Sequence, residues 1–281
     1  MAKLDRLGWA DGMSFISHGV RVGLRVNDKT ILEDLVARFP PDAKAATGRS
    51  VDHLYSVTGF TNGASGCVRR FNLAYWNLAR FARTRTFADL LDEFESHLQL
   101  TVAEYAPRRI FVHAGVVAWK ESAILIPGAS YSGKSSLVAE LLRAGATYYS
   151  DEYAVIDARG RVHPYARDLK IRSAQSGGVN RTRAAELGAQ TGSKPLSIAL
   201  VLSTTFREGV RFRPRELTRG KAVLELLRNT VSARSQPEMG LAYLTMALTQ
   251  ATTLKGARGE ASEMVEWILN RVESSTSIMT P

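Results

Sequence analysis

Ala123-Ile124-Leu125-Ile126-Pro127, Gly128-Ala129-Ser130-Tyr131-Ser132-Gly133-Lys134-Ser135 and Ser136-Leu137-Val138-Ala139-Glu140-Leu141-Leu142 follow one another without a break and decide the reading of this chain. The first part is an apolar strand, the second a loop with glycines at its first and sixth positions followed by Lys-Ser, the third an amphipathic helix. A phosphate-binding loop needs that order. Phosphate oxygens concentrate negative charge, so consecutive backbone N–H groups must wrap them, and Gly128 and Gly133 let the backbone approach and turn where a Cβ would obstruct it. A helix opening near Lys134 adds its unpaired N–H groups and the positive end of its dipole. Residues Gly128 through Ser136 are therefore the expected nucleotide-binding set, with Lys134 reaching the β- and γ-phosphates and Ser135 holding Mg²⁺. A charge that moves during transfer must be neutralised as it moves, which couples the lysine to the metal.

Working outward, Ile110 to Trp119 and Ser122 to Pro127 read as adjacent strands joined by a Lys120-Glu121 hairpin turn. A hairpin feeding a phosphate loop differs from the Rossmann arrangement, where a crossover helix separates parallel neighbours. Beyond the loop, Ser135 to Arg143 reads as the helix with Gly145 at its end. Tyr148-Tyr149-Ser150, the pair Asp151-Glu152 and the strand-like Tyr153 to Asp157 come next. That spacing lets the chain return from the helix and set carboxylates beside the loop. One could hold Mg²⁺ directly or through water, and the other could take a proton from an acceptor hydroxyl.

These residues resemble a family. The phosphate loop, His113-Ala114-Gly115 upstream of it, and Tyr149-Ser150-Asp151-Glu152-Tyr153-Ala154-Val155-Ile156 look like the catalytic domain of the HPr serine kinase/phosphorylase group. The resemblance covers residues 110 to 172 and extends toward 235. It implies an α/β or α+β fold, a phosphoenolpyruvate-carboxykinase-like core with a mixed, strand-rich sheet and flanking helices. It also implies that Asp151 is the catalytic acid or base, that Lys134 and Ser135 serve the nucleotide, and that His113 lies near the acceptor. Glu152 stands where the family more often has a second aspartate, and Ala114 replaces the glycine of its His-Gly pair. The family's later glycine-rich signature has no secure counterpart in Arg172 to Lys194, so HPr itself is a less expected acceptor than another protein, a peptide or a small hydroxyl compound.

The rest of the chain sets bounds. Its 281 residues, 45% hydrophobic, suffice for one large domain or two modest ones. Residues 1–107 read as an N-terminal α+β module of unassigned role, and 108–281 as the kinase-like domain. A formal charge of +10 attracts polyanions. The basic residues are spread along the chain, however, and Phe71, Tyr75 and Trp76 beside Arg69, Arg70 and Arg80 read better as core aromatics with solvated arginines than as a base-stacking surface, so nucleic acid is not the expected partner. The single Cys67 cannot form an intrachain disulfide, which points to a reducing compartment. No apolar run approaches a membrane span, and cytoplasmic localisation is expected. Self-association is left open.

In the N-terminal part, Val20 to Val26 alternates as a strand does, and Ile31 to Phe39 reads as a short helix capped by Thr30. His53 to Val57 reads as a strand and Thr86 to Tyr105 as a long helix. In the C-terminal part, Arg172 to Lys194 reads as a mobile loop or a disordered insertion. Leu196 to Ser203 reads as a core strand paired with Arg211 to Arg213, and Gly240 to Ala251 and Ala261 to Val272 as helices. The expected activity is ATP- and Mg²⁺-dependent phosphoryl transfer to a hydroxyl. The alternatives are a nucleotide-dependent regulatory or binding module with slow hydrolysis, and a noncatalytic interaction protein.

Overall fold

The computed structural model describes residues 2–48, 50–60, 71–128, 132–172 and 179–277, and the chain divides into two compact units, Met1–Arg108 and Arg109–Pro281. Three residues of the expected phosphate loop, Ala129, Ser130 and Tyr131, lie outside the described residues, as do Cys67, Arg69 and Arg70. The fold is mixed α/β, with multi-stranded sheets and flanking helices.

The first unit contains α1 (Ala2–Asp5), β1 (Asp11–Ser17), β2 (Val20–Val26), α2 (Leu32–Val36), β3 (Lys44–Ala45), β4 (His53–Thr58), β5 (Asn72–Trp76), β6 (Ala79–Thr84) and α3 (Phe87–Tyr105). Its six strands form one sheet in the order β3-β1-β2-β4-β5-β6. Among the described residues of this unit, only β2 and β4 pair in parallel, and α2 lies in the connection between them. The apolar stripe of α3, with Leu90, Phe94, Leu98 and Val102 fully buried, recurs at the helical period that the sequence shows. Thr86 caps this helix by accepting from the Asp89 N–H at 3.1 Å. The shorter helix differs from expectation. Asp28, not Thr30, supplies the cap, accepting from the Thr30 N–H at 2.9 Å, and a 3-10 turn over Lys29–Ile31 precedes a single turn of α-helix. Asp28 sits two residues before the N–H it accepts, a turn that a short carboxylate closes more readily than the β-branched Thr30. The aromatic stretch around Tyr75 and Trp76 is the inner strand β5, and Arg83 lies over the Phe71 ring at 3.9 Å.

The second unit runs β7 (Ile110–Trp119), β8 (Ser122–Pro127), α4 (Lys134–Arg143), β9 (Thr147–Ser150), β10 (Tyr153–Ile156), β11 (Val162–His163), β12 (Leu169–Arg172), β13 (Val179–Thr182), β14 (Ile198–Phe206), β15 (Arg215–Glu216), α5 (Arg219–Leu227), α6 (Pro237–Ala247), β16 (Thr252–Arg258) and α7 (Val265–Ser277). Its main sheet has the order β11-β10-β7-β8-β14-β16-β15, and β9 also pairs with β7. The β7–β8 pair is the expected hairpin, with Trp119 opposite Ser122. Lys120 and Glu121 take φ of +46° and +63°, the left-handed pair that a two-residue hairpin turn demands. By contrast β8, β14 and β16 are mutually parallel.

Both faces of this sheet are covered, which explains the near-continuous apolar runs of β7 and β8. Ala123 and Leu125 join Ala222, Leu226 and Leu244 on one face. Ile124 and Ile126 join Leu137, Val138, Leu141 and Ile268 on the other. Successive residues of β8 thus belong to opposite clusters, as the strand period requires. Gly115 lets α4 settle against β7, because a Cβ there would stand 2.6 Å from Val138 Cγ2.

Three expectations fail here. The partners of β14 are β8 and β16, not Arg211 to Arg213, which lies in no strand. The helical pattern ending at Ala251 stops at Ala247, and the residues after it form β16. Within Arg172 to Lys194, the described residues make a β12–β13 hairpin and a 3-10 turn over Ala184–Leu187, ended by Gly188 at φ +74°. The remaining residues of that stretch, 173–178, lie outside the described residues.

Candidate functional site

The site is built where β8 ends and α4 begins. The Gly128 N–H donates to the His113 carbonyl at 3.2 Å, fixing the exit of β8 against β7. Gly133 is left-handed, at φ +84°, and forms the N-cap of α4 without a side-chain cap, so the first turn starts with backbone donors and no competing carboxylate. A Cβ on Gly133 would lie 2.5 Å from an Arg258 nitrogen, and a Cβ on Gly128 would lie 2.6 Å from Ser132 Oγ. Ser132 Oγ is itself buried with no hydrogen-bond partner among the described residues. A buried hydroxyl without a partner, beside an uncapped helix start, is the chemistry that an anion completes.

Lys134 and Ser135 occupy the first two positions of α4, and Ser136 is exposed on the same turn. Asp151 and Glu152 lie between β9 and β10, where the chain turns back beside α4. The Ser135 hydroxyl donates to Asp151 Oδ2 at 3.4 Å, the Tyr148 hydroxyl to Oδ1 at 3.1 Å, and the Lys170 N–H to Oδ2 at 3.2 Å. Asp151 is buried, and burial raises its pKa against the lowering effect of these donors. Burial lowers the pKa of Lys134, while the charges of Asp151 and Glu152 oppose that effect. Lysine and carboxylates are therefore within electrostatic reach of one another in a poorly solvated setting.

Glu152 is half-buried, with its own N–H bonded to Ser150 Oγ at 3.2 Å and its carbonyl accepting from the Ala114 N–H at 3.1 Å. His113 stands opposite Tyr153 across the β7–β10 pair, their rings 4.8 Å apart. Burial lowers the His113 pKa and the nearby Lys134 charge lowers it further, so the imidazole is held neutral. Thus His113, Gly128, Lys134, Ser135, Asp151 and Glu152 come together, although they come from three separate stretches of chain.

The donor set fits a magnesium ion brought by a nucleotide. A hydroxyl and a carboxylate oxygen in contact are hard ligands of the kind Mg²⁺ takes, the remainder being phosphate oxygens and water. Among the described residues, no three His, Cys, Asp or Glu side chains converge into a self-sufficient metal cage. No helix among them is long and apolar enough to cross a membrane.

Two neighbours of the loop were not identified from the sequence. Tyr148 positions Asp151, and its only sequence signal is the three-residue spacing. Arg258, at the end of β16, is 2% exposed and donates from Nη2 to the Gly133 carbonyl at 2.9 Å and from Nη1 to the Gly259 carbonyl at 2.8 Å. No local motif marks it.

No family model matches the chain, and no curated protein matches it. Among solved structures, the Hpr(Ser) kinase/phosphatase from Coxiella burnetii is similar, at 17% identity over 60% of this chain and 97% of that one, with a TM-score of 0.35. This is a distant, partial likeness, and the functional reading rests on the residues of the site.

Proposed function

We propose that the chain is an ATP- and Mg²⁺-dependent kinase that transfers the γ-phosphoryl group to a hydroxyl of a protein, peptide or small molecule, in the manner of HPr kinase-like phosphotransferases with a phosphoenolpyruvate-carboxykinase-like core. The observation that carries this reading is the contact of Ser135, in the first turn of α4, with the buried carboxylate of Asp151. In a loop that only anchored a structural anion, a carboxylate at that point would repel the ligand. Beside a metal–phosphate pair it is an asset.

In this reading the amides of Gly128 through Ser136 and the Lys134 ammonium cradle the phosphates and stabilise charge as it shifts. Ser135 with an acidic side chain, Glu152 or Asp151, would hold Mg²⁺, which when bound would neutralise phosphate charge. Asp151, whose proton affinity burial increases, orients or deprotonates the acceptor hydroxyl. His113, neutral beside Lys134, can share a hydrogen bond with the acceptor without adding repulsion.

The test incubates the purified chain and its Lys134→Ala variant with γ-labelled ATP and host-cell extract. Label that enters a protein or a small hydroxyl compound with the wild type, and not with the variant, is the expected result. Label released only as inorganic phosphate would replace the kinase by a slow hydrolase with a regulatory role. Absence of Mg·ATP binding by calorimetry would leave a noncatalytic interaction protein.

A further inference from the structure

Resting on the reading that the loop holds nucleotide phosphates, we propose that Phe206 is the platform on which the nucleotide's base stacks. Because β8, β14 and β16 are parallel, their C-terminal ends share the sheet edge from which the loop emerges. Ligands of α/β sheets collect outside that edge. Phe206 and Arg258 are the last residues of β14 and β16 and are partners in register.

Phe206 is the exposed apolar residue of its strand. Leu200, Val201 and Leu202 are buried, yet 44% of Phe206 is exposed. The Phe206 Cβ lies 3.9 Å from the place a Gly133 Cβ would occupy. The Arg258 guanidinium is 5.7 Å from the ring centroid and is tied to the Gly133 carbonyl. Ring, guanidinium and helix start therefore form one continuous wall. A single ribose separates the first phosphate of a nucleotide from its base, so a nucleotide whose phosphates sit at Gly133 to Ser136 and whose nucleoside runs toward β14 has this ring within reach of its base.

A flat apolar side chain, nearly half exposed and with a cation near its ring, is a stacking partner for any purine. Hydrogen bonding to the base edge is not required, so adenine and guanine nucleotides are accepted alike. The ring adds affinity for the nucleoside and none for the phosphates.

Calorimetry on the full chain distinguishes these contributions, with Mg·ATP and magnesium tripolyphosphate titrated into wild type, Phe206→Ala and Phe206→Tyr. Phe206→Ala should lose about tenfold in ATP affinity, Phe206→Tyr should restore it, and tripolyphosphate should bind all three equally. ATP affinity unchanged in Phe206→Ala overturns the stacking role while leaving the phosphate site standing. Equal losses of ATP and tripolyphosphate also overturn it, since the ring would then only shape the loop. A wild type that binds neither compound refutes the phosphate site, and the platform with it.

Discussion

Ser135 and Asp151 meet at 3.4 Å, joining the first turn of α4 to the bend between β9 and β10. The contact unites the proposed phosphate side of the site with its carboxylate side. The Tyr148 hydroxyl donates to Oδ1 and the Lys170 N–H to Oδ2, so the orientation of Asp151 is set before any ligand arrives and one lone pair of Oδ1 is left over. Asp151→Asn preserves the shape and removes the charge. Phosphoryl transfer should fall by about 10²-fold or more, while affinity for ATP without added Mg²⁺, measured by calorimetry, changes little. Transfer at the wild-type rate would remove Asp151 from the chemistry.

Gly115 controls how closely α4 approaches the sheet. A methyl group there would stand 2.6 Å from Val138 Cγ2, and a β-branched side chain in a helix strongly prefers one χ1 rotamer, so Val138 retreats only at a cost. Gly115→Ala should cost about 1–3 kcal/mol in urea denaturation and should also weaken Mg·ATP binding, because the start of α4 moves with Val138. Wild-type stability in this variant would mean that the helix can shift freely.

What the sequence disclosed and what it hid divide along the range of the interactions. Gly128 and Gly133 answer to backbone needs within a few residues, and the Lys120-Glu121 turn to strand spacing, so the hairpin and the strand and helix that flank the expected loop could be read directly. Asp151 was reachable through its distance from Lys134 along one helix and one strand. Phe206 and Arg258 depend on the parallel pairing of β14 with β16, which are separated by α5 and α6, and no local pattern records such a pairing. The same non-local pairing explains why Arg211 to Arg213 looked like the partner of β14: a nearby turn favours a hairpin until a distant strand takes the edge. In the N-terminal unit, Asp28 and Thr30 are both plausible caps by type, and only the backbone between them decides.

Arg258 bridges two carbonyls, those of Gly133 and Gly259, with the two arms of its guanidinium. A lysine keeps the charge but places it at one point, so it cannot span both acceptors in the same geometry. Arg258→Lys should retain the fold by circular dichroism and lose about fivefold in Mg·ATP affinity, the worth of one hydrogen bond at the loop's last glycine. Undiminished affinity would show that Gly133 holds its left-handed conformation without help from β16.

The N-terminal unit carries a pH dependence of its own. His53 accepts from the Trp76 indole N–H at Nδ1 at 3.2 Å, and His97 Nδ1 pairs with the Tyr55 hydroxyl at 2.8 Å while its ring stacks on Phe81 at 4.0 Å. Burial lowers both imidazole pKa values below 6.5. Asp52 partly offsets this for His53, and the His53 charge adds to it for His97. The folded unit thus prefers both rings neutral. Its stabilisation is complete above pH 6.5 and is lost as the pH falls through the depressed folded values, because the unfolded chain takes up protons first. Protonating His53 also removes the acceptor for Trp76. Urea midpoints of this unit should therefore fall between pH 7 and pH 5, and a His53→Asn, His97→Gln double variant should flatten that slope. An equal slope in the double variant would assign the pH dependence to other groups.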